Sequence, residues 1–179
     1  MPVSLTSPDT GNLYVGKGIC SFKAEGEADF RDLGNCPEVE LTLNIETLEH
    51  FTSRAGTRSK DLIIVLERGG TVRFITEEWT PENLRMFFLG GVVDEAHTDG
   101  PTFDIMAEDA ISGEFKFTGT NDQGPNYDIH LHNVRITPAG SLNVIGEDWG
   151  GIEVEAEILL SSVTEKFGTV TLTNLPSET

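Results

Sequence analysis

The sequence predicts a mainly β fold: an antiparallel β-sandwich or partial barrel with one flanking α-helix. Three observations carry that prediction. Several stretches alternate apolar and polar residues with period two, which gives a strand one face on a core and one in water. The 19 glycines among 179 residues, with many Thr, Val and Ile, favour turns and strands. One stretch alone reads as a clear helix start, Thr80-Pro81-Glu82-Asn83, and Gly90-Gly91 stops it after about ten residues.

Taken in order, residues 1–12 are rich in Ser, Thr, Pro and Gly and read as an N-terminal arm. Residues 14–24 form a strand broken by Gly16 and Gly18, and residues 25–31 a polar turn. Residues 38–47 give the cleanest alternation. Val39, Leu41, Leu43 and Ile45 lie on one side, and Glu38, Glu40, Thr42, Asn44 and Glu46 on the other. A basic loop follows, and residues 62–66 (Leu-Ile-Ile-Val-Leu) read as a more fully buried strand. Arg68-Gly69-Gly70 suits a hairpin turn into a strand at 71–75. In the helix, Thr80 caps, Pro81 takes the first position, and Glu82 meets the positive end of the dipole. Leu84, Phe87 and Phe88 are expected to face the sheet. Residues 92–105 are read as a short strand and a loop. Further strands are expected at 113–118, 127–136, 141–145, 152–160 and 169–173. A turn at Pro138-Ala139-Gly140 and a Gly-rich turn at 146–151 are read between the later ones. The whole chain, residues 1–179, reads as one domain.

The formal net charge is −18, from 30 Asp and Glu against 12 Lys and Arg. That excludes nucleic-acid binding by phosphate neutralisation, which needs a basic face. It fits solubility, calcium or basic partners, or a surface that repels DNA. Cys20 and Cys36 have no metal-type spacing and read as buried or incidental thiols of a reducing compartment. The first residues have neither a basic start nor an apolar run, so no secretory signal is expected. No stretch approaches the roughly 18 apolar residues of a membrane helix.

Three strands carry acidic or polar faces: Glu38, Glu40 and Glu46; Glu153, Glu155 and Glu157; and Asp128, His130 and His132. An ordinary solvent face mixes Lys with Glu, because adjacent like charges repel. Lys and Arg look nearly missing from these faces, which suggests the wall of an acidic channel or groove. His130-x-His132 offers two imidazoles on one side of a strand, an arrangement that a metal site can use. Gly124 has cupin-like spacing, but Ile136 and Thr137 stand where that motif wants its glutamate; Asp128 is the alternative third ligand. There is no nucleophile elbow, Walker loop or dinucleotide fingerprint. Trp79 and Trp149 read as packing residues before ligand platforms. No catalytic residue, metal or cofactor is therefore expected. The alternatives kept are a metal-dependent cupin-like β-barrel enzyme using His130 and His132, and a small β-barrel ligand binder.

The loop at 49–61 holds Arg54, Arg58 and Lys60, a positive arm that could dock head-to-tail on an acidic copy of the same chain. The run Asp32-Leu33-Gly34-Asn35-Cys36-Pro37-Glu38-Val39-Glu40-Leu41, and residues 46–58 with Gly56, resemble the tail tube (major tail) proteins of long-tailed bacteriophages. Gly16-Lys17-Gly18 and Thr80-Pro81-Glu82-Asn83-Leu84 agree, and the resemblance is best over residues 11–90. It implies a β-sandwich flanked by a helix, and hexameric rings whose inner sheets join into a barrel. It implies rings stacked into a tube around the tape measure protein, through which double-stranded DNA later passes without specific binding. Tail terminator and tail-tip proteins would be further partners, with no membrane. The site would be the virion tail, assembled in the host cytoplasm. The tube of a related contractile secretion system is the variant reading. On this resemblance, residues 49–61 are the extended stacking loop. Arg54, Arg58 and Lys60 are inter-ring contacts, and residues 1–12 and 169–179 (a C-terminal strand and tail) add others. Glu38, Glu40, Glu46, Asp128, Glu153, Glu155 and Glu157 would line the lumen. The break in alternation at Asn133-Val134 would mark a bulge where that strand bends.

Overall fold

A computed structural model describes residues 7–54, 56–137 and 140–174. Their strands are β1 (Gly16–Ala24), β2 (Arg31–Asp32), β3 (Glu38–Thr52), β4 (Ser59–Thr76), β5 (Ile111–Asn121), β6 (Asn126–Thr137), β7 (Ile152–Ile158) and β8 (Gly168–Thr173). They form one antiparallel sheet in the order β2-β1-β5-β6-β7-β4-β3, and β8 also pairs with β6. The mainly β class with one helix is as predicted.

β6 is the pivot. Its first half, Asn126 to Leu131, pairs with β8, and its second half, Val134 to Thr137, pairs with β7. Between the halves the β5 register shifts: Gly113 faces Val134 and Phe115 faces Leu131. His132 and Asn133 together therefore oppose the single residue Glu114, a β-bulge that turns the strand. It lies where the alternation breaks.

The sheet curls around its apolar side. Phe74 on β4 and Phe115 on β5 stack with ring centroids 5.2 Å apart, although β6 and β7 lie between these strands. A flat sheet would hold β4 and β5 roughly 14 Å apart, at just under 5 Å per strand. The concave side buries Cys20, Phe22, Val72, Phe74, Phe115, Leu131, Val134, Ile136, Ile152, Val154, Ala156 and Ile158. The convex side keeps the polar half of each alternation.

Helix α1 (Pro81–Phe88) is built by the predicted cap: the Thr80 hydroxyl oxygen accepts from the Asn83 N–H. Leu89, at φ 47°, ends it ahead of Gly90-Gly91. Leu84 and Phe87 pack on the core as expected, but the buried positions are Asn83, Met86 and Leu89. Phe88 turns to Phe103 instead. The Asn83 amide donates to the Leu33 and Glu78 carbonyls at 3.0 and 2.8 Å, and its oxygen accepts from Arg31 at 2.7 Å. This one polar side chain ties the β2 segment to the helix. Cys20 is buried and Cys36 half-buried; a hydrogen bond between the two thiols and then burial push Cys20 up, and the same bond draws Cys36 down.

Several local expectations are corrected. Residues 68–70 are no turn: Gly69 and Gly70 lie inside the 18-residue strand β4. A Cβ on Gly70 would stand 2.5 Å from the Thr42 carbonyl oxygen, so glycine there serves close strand contact. Gly18 does the same against the Thr118 carbonyl, at 2.4 Å, and β1 runs unbroken through it. Arg31 belongs to β2, which pairs with β1 at Ser21 and Phe22. Residues 141–145 form no strand, because both edges of β7 and of the second half of β6 are already paired. Residues 92–105 hold only an isolated bridge, Asp94 to Thr102. Residues 62–66 are a strand but not a buried one. Pro138 and Ala139, residues 1–6 of the arm, Ala55 of the loop and residues 175–179 lie outside the described residues.

Candidate assembly surfaces

β3 and β4 pair from Glu38–Ile75 out to Thr52–Ser59, whereas β7 accompanies β4 only from Gly70 to Thr76. Beyond Gly70 the two strands continue as a free ribbon with two open edges and two open faces. After the bulge at Glu46/Thr47, cross-strand pairing puts Leu48, Leu62 and Ile64 on one face and Ile63 and Val65 on the other. All five are water-exposed; Leu62 is 52% and Ile64 49% accessible, and Leu43 nearer the base is 79%. Ile45, Phe51 and Leu66 add to this surface, and over its two faces together the ribbon exposes apolar area on the order of 900 Å². Among the described residues, the apolar run at 62–66 pairs with β3 and with no other strand.

The ribbon's tip is shorter than the stacking loop read from residues 49–61, since strand pairing leaves only 53–58 as loop. Lys60 lies in β4 and is ion-paired with Glu49 across the hairpin, so it is not a free contact at the tip. His50 Nδ1 meets Asp61 Oδ1 at 2.6 Å. Arg58 lies over the Phe51 ring at 5.3 Å. Arg54 has no ion-pair partner among the described residues, so Arg54 and Arg58 carry the tip's positive charge.

Register places six of the seven acidic candidates in one patch. Glu153, Ile75 and Glu38 lie in one cross-strand row, and Glu155, Arg73 and Glu40 in the next. Glu157 follows beside Thr71, and Glu46 stands further along β3, directly opposite Glu67. Asp128 does not join them. It lies on the first half of β6, between β5 and β8, and accepts the Gly119 N–H at 3.1 Å. The patch is also not free of cations, as the sequence had suggested. Arg73, from the central strand β4, ion-pairs with Glu153 and Glu38, with Glu40 at 3.9 Å. Those hydrogen bonds, Glu153 first and then Glu38, raise the guanidinium further above its ordinary value. Arg135 pairs in register with Glu157. An Arg73→Gln substitution leaves Glu38, Glu40 and Glu153 facing one another. The expected result is a Tm below wild type in low salt that recovers toward it near 1 M salt, where the screening length is about 3 Å. An equal deficit at both salt concentrations would show that the patch does not repel itself.

His130 and His132 also lie on the convex side, where β5 adds a residue the sequence did not single out. Glu114 Oε2 is 2.8 Å from His130 Nε2, and Lys23 pairs with the same carboxylate. Burial would raise the Glu114 carboxyl, but hydrogen bonds from Lys23 and His130 outweigh it and hold it below its ordinary value. Burial first, then the neighbouring His130, lowers His132. Asp128, the third ligand first considered, is engaged elsewhere. Glu114 was hidden because a strand sequence shows its own alternation and not its cross-strand neighbour. An open groove of about 640 Å³ adjoins, lined by Lys23, Glu114, His132 and Arg135 among others.

The described residues thus define a curled antiparallel β domain with one helix and a projecting apolar ribbon. The chain belongs to the family described as "Protein of unknown function UCP028589", whose model matches residues 10–102, just over half the chain and the part that holds the ribbon. No curated protein matches it. One similar solved structure is described as "Tail of empty GTA particle computed with helical refinement, C6 symmetry". The identity is 14% and the TM-score 0.47, over 87% of this chain and 95% of that one. No helix among the described residues is long and apolar enough to cross a membrane.

Proposed function

We propose that this protein is a structural subunit that assembles with copies of itself into the tube of a phage-type virion tail. The observation that carries the reading is the β3–β4 ribbon, with apolar side chains on both faces and unpaired backbone on both edges. A ribbon of this kind is marginal alone in water. Its edges and faces suit a neighbouring copy, and its exposed area is close to the roughly 800 Å² that one partner contributes to a standard interface. The ribbon and the body that would receive it are different surfaces, so the contact is head-to-tail and closes into rings or propagates. Hexameric rings stacked through the tip at Arg54 and Arg58 are the form the sequence resemblance suggests.

The acidic patch of Glu38, Glu40, Glu46, Glu153, Glu155 and Glu157 would face the bore. Arg73 is occupied by carboxylates and offers little to phosphate. Such a wall would hold the tape measure protein and later let double-stranded DNA slide. At physiological salt the repulsion reaches only about 8 Å, so it acts on strands that approach the wall. The terminator and tip proteins would close the two ends, and no catalytic step is assigned. Negative-stain microscopy of the concentrated protein is expected to show rings or tubes with a central bore. Uniform monomers at the same concentration would overturn the reading.

A further inference from the structure

We propose that Glu114, His130 and His132 bind a divalent transition cation of the zinc type. The donor set is two imidazoles and one carboxylate, the class that takes zinc-like ions in preference to calcium or magnesium, which want oxygen. The donor atoms all lie within 4.8 Å of one another. Ligands at 2.0–2.1 Å around a tetrahedral ion stand roughly 3.3 Å apart. His130 Nε2 and Glu114 Oε2 are 2.8 Å apart and every pair lies within 4.8 Å, so side-chain rotations that move donor atoms by about 1 Å would close the site.

The backbone explains why these groups meet. His130 and His132 are two residues apart on one strand and project on one side. The bulge sets His132 and Asn133 together against Glu114, so the β5 carboxylate reaches both imidazoles. Phe30 stands edge-on to His130 at 5.5 Å and walls one side of the cluster. Lys23 supplies the countercharge to Glu114 and also lies over the Phe30 ring at 5.3 Å, so its ammonium keeps a favourable place if a metal takes the carboxylate. Three protein ligands leave a fourth position for water. Lys23 and the cation compete for one carboxylate, which gives the proposal a signature that a plain structural cluster lacks.

The test uses the full chain, stripped with a chelator and titrated with zinc chloride by calorimetry near pH 7.5. Cobalt(II) absorption serves as a second readout. One zinc per chain is expected, with a cobalt spectrum of tetrahedral type. His130→Ala and His132→Ala should each weaken binding at least about tenfold, and Lys23→Met should tighten it severalfold. Circular dichroism checks that each variant is folded. No zinc uptake by the wild type would overturn the proposal. So would uptake that persists in the double histidine variant or that millimolar calcium abolishes, since either describes adventitious binding to an acidic surface.

Discussion

Leu62→Thr combined with Ile64→Thr is expected to abolish rings and tubes while leaving the folded monomer intact. Threonine is β-branched and suits a strand, so the ribbon itself is not broken. What is removed is apolar surface that water already touches in the isolated chain. In the assembly the two substitutions together would forfeit about 3 kcal/mol per interface, or about a hundredfold in each association constant. Because every copy carries the change, growth should stop at concentrations where the wild type assembles. The monomer's Tm should move by no more than about 2 °C, as surface changes do. Sedimentation velocity and thermal melting read both outcomes. Normal assembly would remove the ribbon from the interface. A large loss of Tm would mean that its apolar residues pack within their own chain.

The second large effect is expected at Phe74→Ala. Phe74 is 1% exposed, and its ring stacks on Phe115 across the curled sheet. It therefore joins the β4 half of the core to the β5 half, which share no backbone ladder. Truncation should cost about 3–5 kcal/mol and lower Tm by roughly 10 °C. Phe74→Leu, which keeps most of the volume, should cost under about 1.5 kcal/mol. The measurement belongs in the Leu62→Thr, Ile64→Thr background, since binding to other copies would otherwise raise the apparent stability. A small effect would show that the two halves are not held together through this contact.

Much of this architecture was legible in sequence because period-two alternation reports sidedness directly. Residues 38–46 and 152–158 announced which side chains share a face, and register confirmed that for six of the seven acidic candidates. Thr80-Pro81 announced the helix because a cap is a local device. What failed was non-local. A continuous apolar run such as 62–66 reads as buried whether its cover comes from its own chain or another. Gly69-Gly70 reads as a turn because the close approach of Thr42 lies on a different strand. Arg73 and Glu114 went unmarked for the same reason: their partners are set by strand order, which no single segment reveals. The strand expected at 141–145 failed because β7 and the second half of β6, which flank it in sequence, are already paired on both sides.

The glycine pair where β4 leaves β7 divides the chain by how each part acquires order. The body up to Gly70 has its own core, while the ribbon beyond it has only the β3–β4 ladder. In the proposed assembly, a first encounter must order a lone ribbon against a single receiving body, whereas each later subunit meets ribbon edges already held in place. Growth of that kind is slow to begin and quick to continue, so assembly should show a lag that preformed tubes shorten.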